Sequence, residues 1–188
     1  MRRKIFFALM TALLLLTLSA CGGSVDAERF QELRERLSDA SGDVTALVCV
    51  EHGETRREYK LAFSGDETNC TVEVLEPAGI AGVRVMISEE GKKVAYEDIV
   101  LSMGDTGCAV TPATALPVIF GALKDGWTEQ VWREELEEIP CMAVRLVYDG
   151  STSMTVWLRY RELIPVYAEI ISGGEVCLSC RILGWNVG

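Results

Sequence analysis

The chain has 188 residues, with 28 acidic side chains against 18 basic ones and a formal net charge of −10 at neutral pH. A surface this acidic argues against nucleic acid as a partner and against general adhesion to anionic lipid, since both require cations to meet phosphate. Apolar residues make up 49% and charged residues 24%, which describes a folded body with a core rather than a solvated acidic tail.

At the N-terminus Arg2, Arg3 and Lys4 form a basic head, and an apolar run from Ile5 to Leu18 follows, broken only by Thr11 and Thr17. A basic head, a short apolar stretch and small residues before a cleavage point define a secretory signal, read here over residues 1–20. The run is shorter than the roughly 20 apolar residues of a membrane span. Its ending, Leu18-Ser19-Ala20-Cys21, resembles the bacterial lipobox. That resemblance implies lipidation at Cys21, which becomes the first residue after cleavage and ties the chain to the membrane. Two acyl chains suit stable anchoring, because each buried CH₂ adds about 0.8 kcal/mol. The alternative is an ordinary signal with a cysteine there by chance. Cleavage leaves 168 residues and a charge of −13, enough chain for one domain over 27–188 behind a tether at 21–26.

The body opens with a helix expected from Ala27 to Ala40. Asp26 suits the N-cap, Glu28 the positive end of the dipole, and Phe30, Leu33 and Leu37 form an apolar stripe that Gly42 would close. The period then changes to two. Val44, Ala46, Val48 and Val50 alternate with their neighbours, as do Tyr59, Leu61 and Phe63, then Cys70, Val72 and Val74, then Val83, Val85 and Ile87. These read as half-buried strands, with turn chemistry at Gly53, Ser64-Gly65-Asp66 and Glu90-Gly91. Shorter strands follow through Val94 and Tyr96 and through Ile99 and Leu101.

Thr111-Pro112 then announces a second helix, which runs to Lys124 and is apolar on nearly every side. Pro117 lies where it would kink or restart that helix. Strands resume near 129–137, 142–148, 152–160, 165–172 and 175–183, with Asp149-Gly150 and Gly173-Gly174 as hairpin turns. The expectation is a mainly β chain of about ten antiparallel strands with two or three helices. Strands that long with few helices should curl into a barrel or half-barrel.

This order of elements resembles the outer-membrane lipoprotein carrier (LolA/LolB-like) family. The likeness is carried by Glu76-Pro77-Ala78-Gly79-Ile80-Ala81-Gly82-Val83-Arg84-Val85 and Tyr96-Glu97-Asp98. It continues through Pro112 and Leu116-Pro117, then Val156-Trp157-Leu158, Pro165 and Ala168-Glu169. It covers most of 27–188 and extends to lipid-anchored relatives in spore-forming bacteria, including the spore germination lipoprotein. The resemblance implies an antiparallel, unclosed half-barrel covered by helices, with an apolar interior that holds acyl chains in several members. One departure matters. A chain anchored at Cys21 should not shuttle freely between membranes as the soluble periplasmic carrier does.

The candidate functional surface is the second helix over the inward strand faces. Leu116, Ile119, Phe120 and Leu123 would roof a cavity facing Leu61, Phe63, Val72, Val85 and Val156. Plain core packing of the same residues is the competing reading. A second candidate is the acidic run Glu129, Glu134, Glu135, Glu137 and Glu138 around Trp132 and Arg133. Trp132, Glu134 and Glu135 would dock a basic partner there, or the run is a solvated edge that discourages strand pairing.

Catalysis finds little support. His52 is the only histidine, beside Glu51 in an expected turn, and no Gly-x-Ser-x-Gly motif accompanies it. Six cysteines remain besides Cys21: Cys49, Cys70, Cys108, Cys141, Cys177 and Cys180. An even count in an exported chain suits disulfides, and a domain of this size also folds with free thiols. Cys177-Leu178-Ser179-Cys180 has redox spacing, but it falls in a strand, where residues three apart face opposite ways. No metal site and no cofactor are expected. Asn69-Cys70-Thr71 matches the glycosylation triplet, which in a bacterial lipoprotein is accidental.

The expected function is therefore that of a non-enzymatic lipoprotein on the extracytoplasmic face of a membrane, binding acyl chains or a lipoprotein tail. The alternative is a scaffold of the same fold that docks and regulates an envelope enzyme such as a cell-wall hydrolase in sporulation or germination.

Overall fold

The computed structural model of the protein describes residues 25–52, 55–103, 110–148, 150 and 152–188. The signal segment, Cys21 and the tether to Ser24 lie outside the described residues, as do Cys108, Asp149 and the side chain of His52.

Helix α1 spans Val25–Leu37 and buries Phe30, Leu33 and Leu37, the expected stripe. Its start corrects the expected cap. Asp26 lies within the first turn, and its carboxylate accepts hydrogen bonds from Arg133 and Tyr160 instead of capping the helix. The end is also corrected, because Gly42 does not close the helix. It is the first residue of β1, where a Cβ would come within 2.4 Å of the Asn186 carbonyl oxygen. Glycine is needed there for the close approach of the last strand.

Six strands follow: β1 Gly42–His52, β2 Thr55–Gly65, β3 Cys70–Glu76, β4 Arg84–Ser88, β5 Gly91–Tyr96 and β6 Ile99–Met103. A short 3₁₀ turn at Ala78–Ile80 separates β3 from β4. Helix α2, Pro112–Asp125, then crosses to a second run: β7 Trp127–Leu136, β8 Ile139–Val147, β9 Thr152–Arg159, β10 Pro165–Ser172 and β11 Glu175–Val187. Pro117 lies inside α2 without dividing it.

All eleven strands form one antiparallel sheet in the order β6-β5-β4-β3-β2-β1-β11-β10-β9-β8-β7. Each run is a meander, as the short connections dictate. The runs join where the first strand meets the last, from Gly42 opposite Val187 to Val50 opposite Leu178. β6 and β7 are the two edges, so the sheet does not close on itself. This is the unclosed, helix-covered half-barrel that the resemblance implied.

The register explains how the core forms. Val44 lies opposite Phe63, Phe63 opposite Val72, and Val72 opposite Val85, so one inward row crosses four strands. In the other wing Val144 lies opposite Val156, and Val156 opposite Ala168. Side chains two apart share a face, so these rows repeat along each strand and make the concave side apolar throughout. The hairpin from β10 to β11 turns on Gly173 and Gly174, both with positive φ (64° and 88°). Two positive φ values in a two-residue loop match the twist of the strands they join.

Candidate functional site

Helix α2 is placed by its ends. The Thr111 N–H donates to Thr114 Oγ1 at 2.9 Å, and Thr114 N–H returns to the Thr111 carbonyl at 3.0 Å, so the first turn is secured just before and within the helix. At the other end Arg34 of α1 donates to the Leu123 carbonyl at 3.2 Å and also to the Gly126 carbonyl. Those are orphan acceptors of a helix C-terminus, and a guanidinium there also meets the negative end of the dipole. Lys124 Nζ stands 2.6 Å from Glu67 Oε1 in the turn between β2 and β3, with both side chains mostly covered. Gly121 faces that turn, where a Cβ would stand in ordinary van der Waals contact with Glu67 Cβ at 3.4 Å.

Between these anchors every residue from Ala115 to Leu123 is buried. A helix apolar all round has to be surrounded, and the concave sheet surrounds it. Leu116, Ile119, Phe120 and Leu123 join one apolar cluster with Leu61, Phe63, Val72 and Val156. Val85 is also buried, further out along the same row. Phe120 bridges the two runs, its ring centroid 5.6 Å from Phe63 of β2 and 6.0 Å from Trp185 of β11. The proposed roof and walls are thus packed together around α2.

The surface is indented beside the N-terminal end of α2. A groove of about 410 Å³ there is lined by Val50, Thr55, Arg57, Tyr59 and Pro112. Val50 and Tyr59 are half-buried and pack on the central cluster, so the floor of the groove is continuous with the core. Arg57 and Thr55 are exposed at its rim. A second groove of about 490 Å³ shares Arg57 and Tyr59 and is completed by Glu58, Pro77, Gly79 and Ile80. Its cause lies in the register. β3 accompanies β2 only as far as Glu76 opposite Lys60, whereas β1 continues to His52 opposite Thr55. The first residues of β2 therefore have a strand on one side only.

Arg57 and Tyr59 were not placed in a site from the sequence, although a signal existed. The inward face of β2, read as Tyr59, Leu61 and Phe63, continues backward to Arg57. A cation at an inward-facing position marks the place where the face meets solvent.

The second candidate surface is the edge strand β7. Trp132 is half-buried, and Glu134 and Glu135 are exposed. Glu134 accepts a hydrogen bond from Trp157 Nε1, whose ring lies 5.4 Å from that of Tyr167. Arg133 belongs to Asp26, and Glu137 is held by Arg181 through two bonds of 2.7 Å. Much of the acidic run is therefore engaged within the chain, and Glu129, Glu135 and Glu138 carry its outward charge.

His52 falls at the end of β1. Cys49, Cys70, Cys141, Cys177 and Cys180 are free thiols, and Cys177 Sγ donates to the Ile170 carbonyl at 3.3 Å while Cys180 lies in the core. Among the described residues no three of His, Cys, Asp and Glu gather as metal ligands, and no helix is long and apolar enough to cross a membrane.

No family model and no curated relative matches the chain. Solved structures resemble its backbone. A LolA-superfamily protein of Nitrosomonas europaea aligns with a TM-score of 0.46 at 13% identity, covering 81% of this chain and 75% of that one. A domain of a lipoprotein-sorting protein described as outer-membrane, from Vibrio parahaemolyticus, gives 0.47 at 9%, covering 85% and 90%. A lipoprotein of Mycobacterium tuberculosis gives 0.45 at 12%, covering 86% and 96%. At this level of likeness any function has to rest on the chain's own residues.

Proposed function

We propose that the chain is a non-enzymatic lipoprotein, anchored through Cys21 on the extracytoplasmic face of a membrane, whose half-barrel binds an acyl chain. One observation carries this reading: the core face of β2 runs out through Tyr59 to Arg57 and opens beside Pro112 as an apolar-floored groove of about 410 Å³. Small-molecule sites span about 300–1,000 Å³ and combine apolar walls with a few polar groups. A methylene chain laid along Val50 and Tyr59 gains about 0.8 kcal/mol for each CH₂ taken from water. The Arg57 guanidinium at the rim suits the anionic head that such a chain carries. Deeper entry would follow α2 toward Phe120 and requires that helix to yield at its N-terminal half, since its C-terminal end is tied to Arg34 and Glu67.

The test is uptake of a fluorescent fatty acid by the purified domain. Wild type should take up the probe, Tyr59→Asp should lose it while keeping its circular dichroism, and Arg57→Glu should weaken it for a carboxylate more than for the corresponding alcohol. Equal uptake by Tyr59→Asp and wild type would remove the groove from consideration.

A second reading, docking to an envelope enzyme such as a cell-wall hydrolase, is favoured by β7 being a sheet edge that carries half-buried Trp132 and exposed Glu135. Capture of a basic partner that survives Trp132→Ala with Glu135→Lys would exclude that edge.

A further inference from the structure

The two edges of the sheet are built differently. β7 carries Glu129, Glu134 and Glu135, and charges along an edge oppose pairing with another chain. β6, Ile99–Met103, carries no charge. Ile99, Val100 and Leu101 are 61%, 57% and 63% exposed, so the strand is bare and apolar on both faces. Such an edge presents its outward N–H and C=O groups as a template for a further strand. It also continues the interior. Leu101 lies opposite Val94, and Val94 opposite the buried Val85, so the concave row that begins in the core ends uncovered at Leu101.

We propose that β6 pairs antiparallel with β6 of a second copy of the chain, about a twofold axis at Leu101. Self-complementarity is the first argument. Antiparallel pairing about Leu101 sets that residue opposite its own copy and Val100 opposite Ser102, with no like charges meeting along the strand, as an isologous contact requires. Charge is the second argument. The turn entering β6 is acidic, at Glu97 and Asp98, while the far end of β5 is basic, at Lys92 and Lys93. Lys93 is paired with Glu90 at 3.2 Å, and Lys92 makes no ion pair among the described residues. Lys92 lies opposite Met103. In the twofold arrangement Ile99 falls opposite the second copy's Met103, so each acidic turn comes within about two strand spacings, roughly 10 Å, of the other copy's Lys92. That is about one Debye length at moderate salt, close enough to favour this register. A parallel pairing would set the two acidic turns side by side.

The test is cross-linking of the full chain in the membranes of the expressing cell, with the unsubstituted chain as the thiol background. Leu101→Cys should give a dimer with a short bismaleimide, and Glu58→Cys on another strand should not. Adding Val100→Lys should cut the Leu101→Cys dimer several-fold, and so should adding Lys92→Glu. Adding Asp98→Lys to the Lys92→Glu chain restores the opposite charges across the axis and should recover the dimer. Matching thermal midpoints for all variants show that folding is not the cause. Absence of the dimer, a product of any mass other than twice the chain, or failure of the charge exchange to recover it overturns the proposal.

Discussion

Asp26 and Arg133 join the first turn of α1 to the edge strand β7 through two hydrogen bonds of 2.6 and 2.9 Å. Tyr160 completes the clasp. Its hydroxyl donates to Asp26 at 3.0 Å, and its ring centroid is 4.7 Å from the Arg29 guanidinium and 4.6 Å from that of Arg133. The helix that follows the tether is thus fixed where it leaves the N-terminal segment. Asp26→Asn keeps the shape and removes the charge, and should lower the thermal midpoint by a few degrees, as loss of a charge-assisted bond at a mostly buried carboxylate implies.

The same pair has a pH signature. The Arg133 hydrogen bonds hold the Asp26 carboxyl below the usual carboxylate range, Tyr160 acts in the same direction, and burial opposes them. A depressed folded-state value means that the contribution is present in full above the ordinary value of 3.8 and fades as the pH falls through the depressed one. The midpoint difference between wild type and Asp26→Asn should therefore hold steady from neutral pH down to about pH 5 and shrink below about pH 4. A difference that grows in acid would contradict the assignment.

Burial pushes the Cys180 thiol up to about 12 and the Cys70 thiol up to about 11. The thiolate is the nucleophile, so neither should react at mildly alkaline pH while the domain is folded. Alkylation followed by peptide mapping should label Cys177, which is half-buried, before Cys180. Unfolding in guanidinium should release the rest. Rapid labelling of Cys180 in the native state would show that the inner face of β11 is open.

The hairpin between β7 and β8 turns on Glu137 and Glu138, both with positive φ (49° and 66°). This is the same backbone as Gly173-Gly174 without the glycines, and an L residue there costs about 1–2 kcal/mol. Among the described residues Glu138 makes no ion pair or side-chain hydrogen bond, whereas Glu137 holds Arg181. Glu138→Gly should stabilise the domain by about 1 kcal/mol in a denaturant titration. The converse holds at Gly42, where Gly42→Ala would press a methyl into the Asn186 carbonyl and should destabilise by about 1–3 kcal/mol.

The strands themselves were legible because each inward face repeats with a period of two, from Val44-Ala46-Val48 to Met154-Val156-Leu158; the pairing of β1 with β11 was not, because it joins distant segments. The burial of α2 was legible because no polar face exists between Ala115 and Leu123. What the pattern does not encode is contact between distant segments. Asp26 reads locally as a cap, and only the return of β7 and of the turn after β9 supplies Arg133 and Tyr160. Gly42 reads locally as a helix stop, and only the arrival of β11 shows why a side chain cannot fit. The groove beside Pro112 was missed for a similar reason: before Lys60 β2 has a strand on one side only, a fact of pairing register that alternation within β2 cannot report.

Native mass spectrometry of residues 22–188, purified gently and followed by lipid extraction, addresses acyl binding most directly. Every described core residue lies within that span. Acyl binding gives a mass increment of one acyl-chain lipid at near-stoichiometric occupancy, lost in Tyr59→Asp. A bare mass for the wild-type domain, with no uptake of added fatty acid, would contradict it and leave the half-barrel as a docking scaffold.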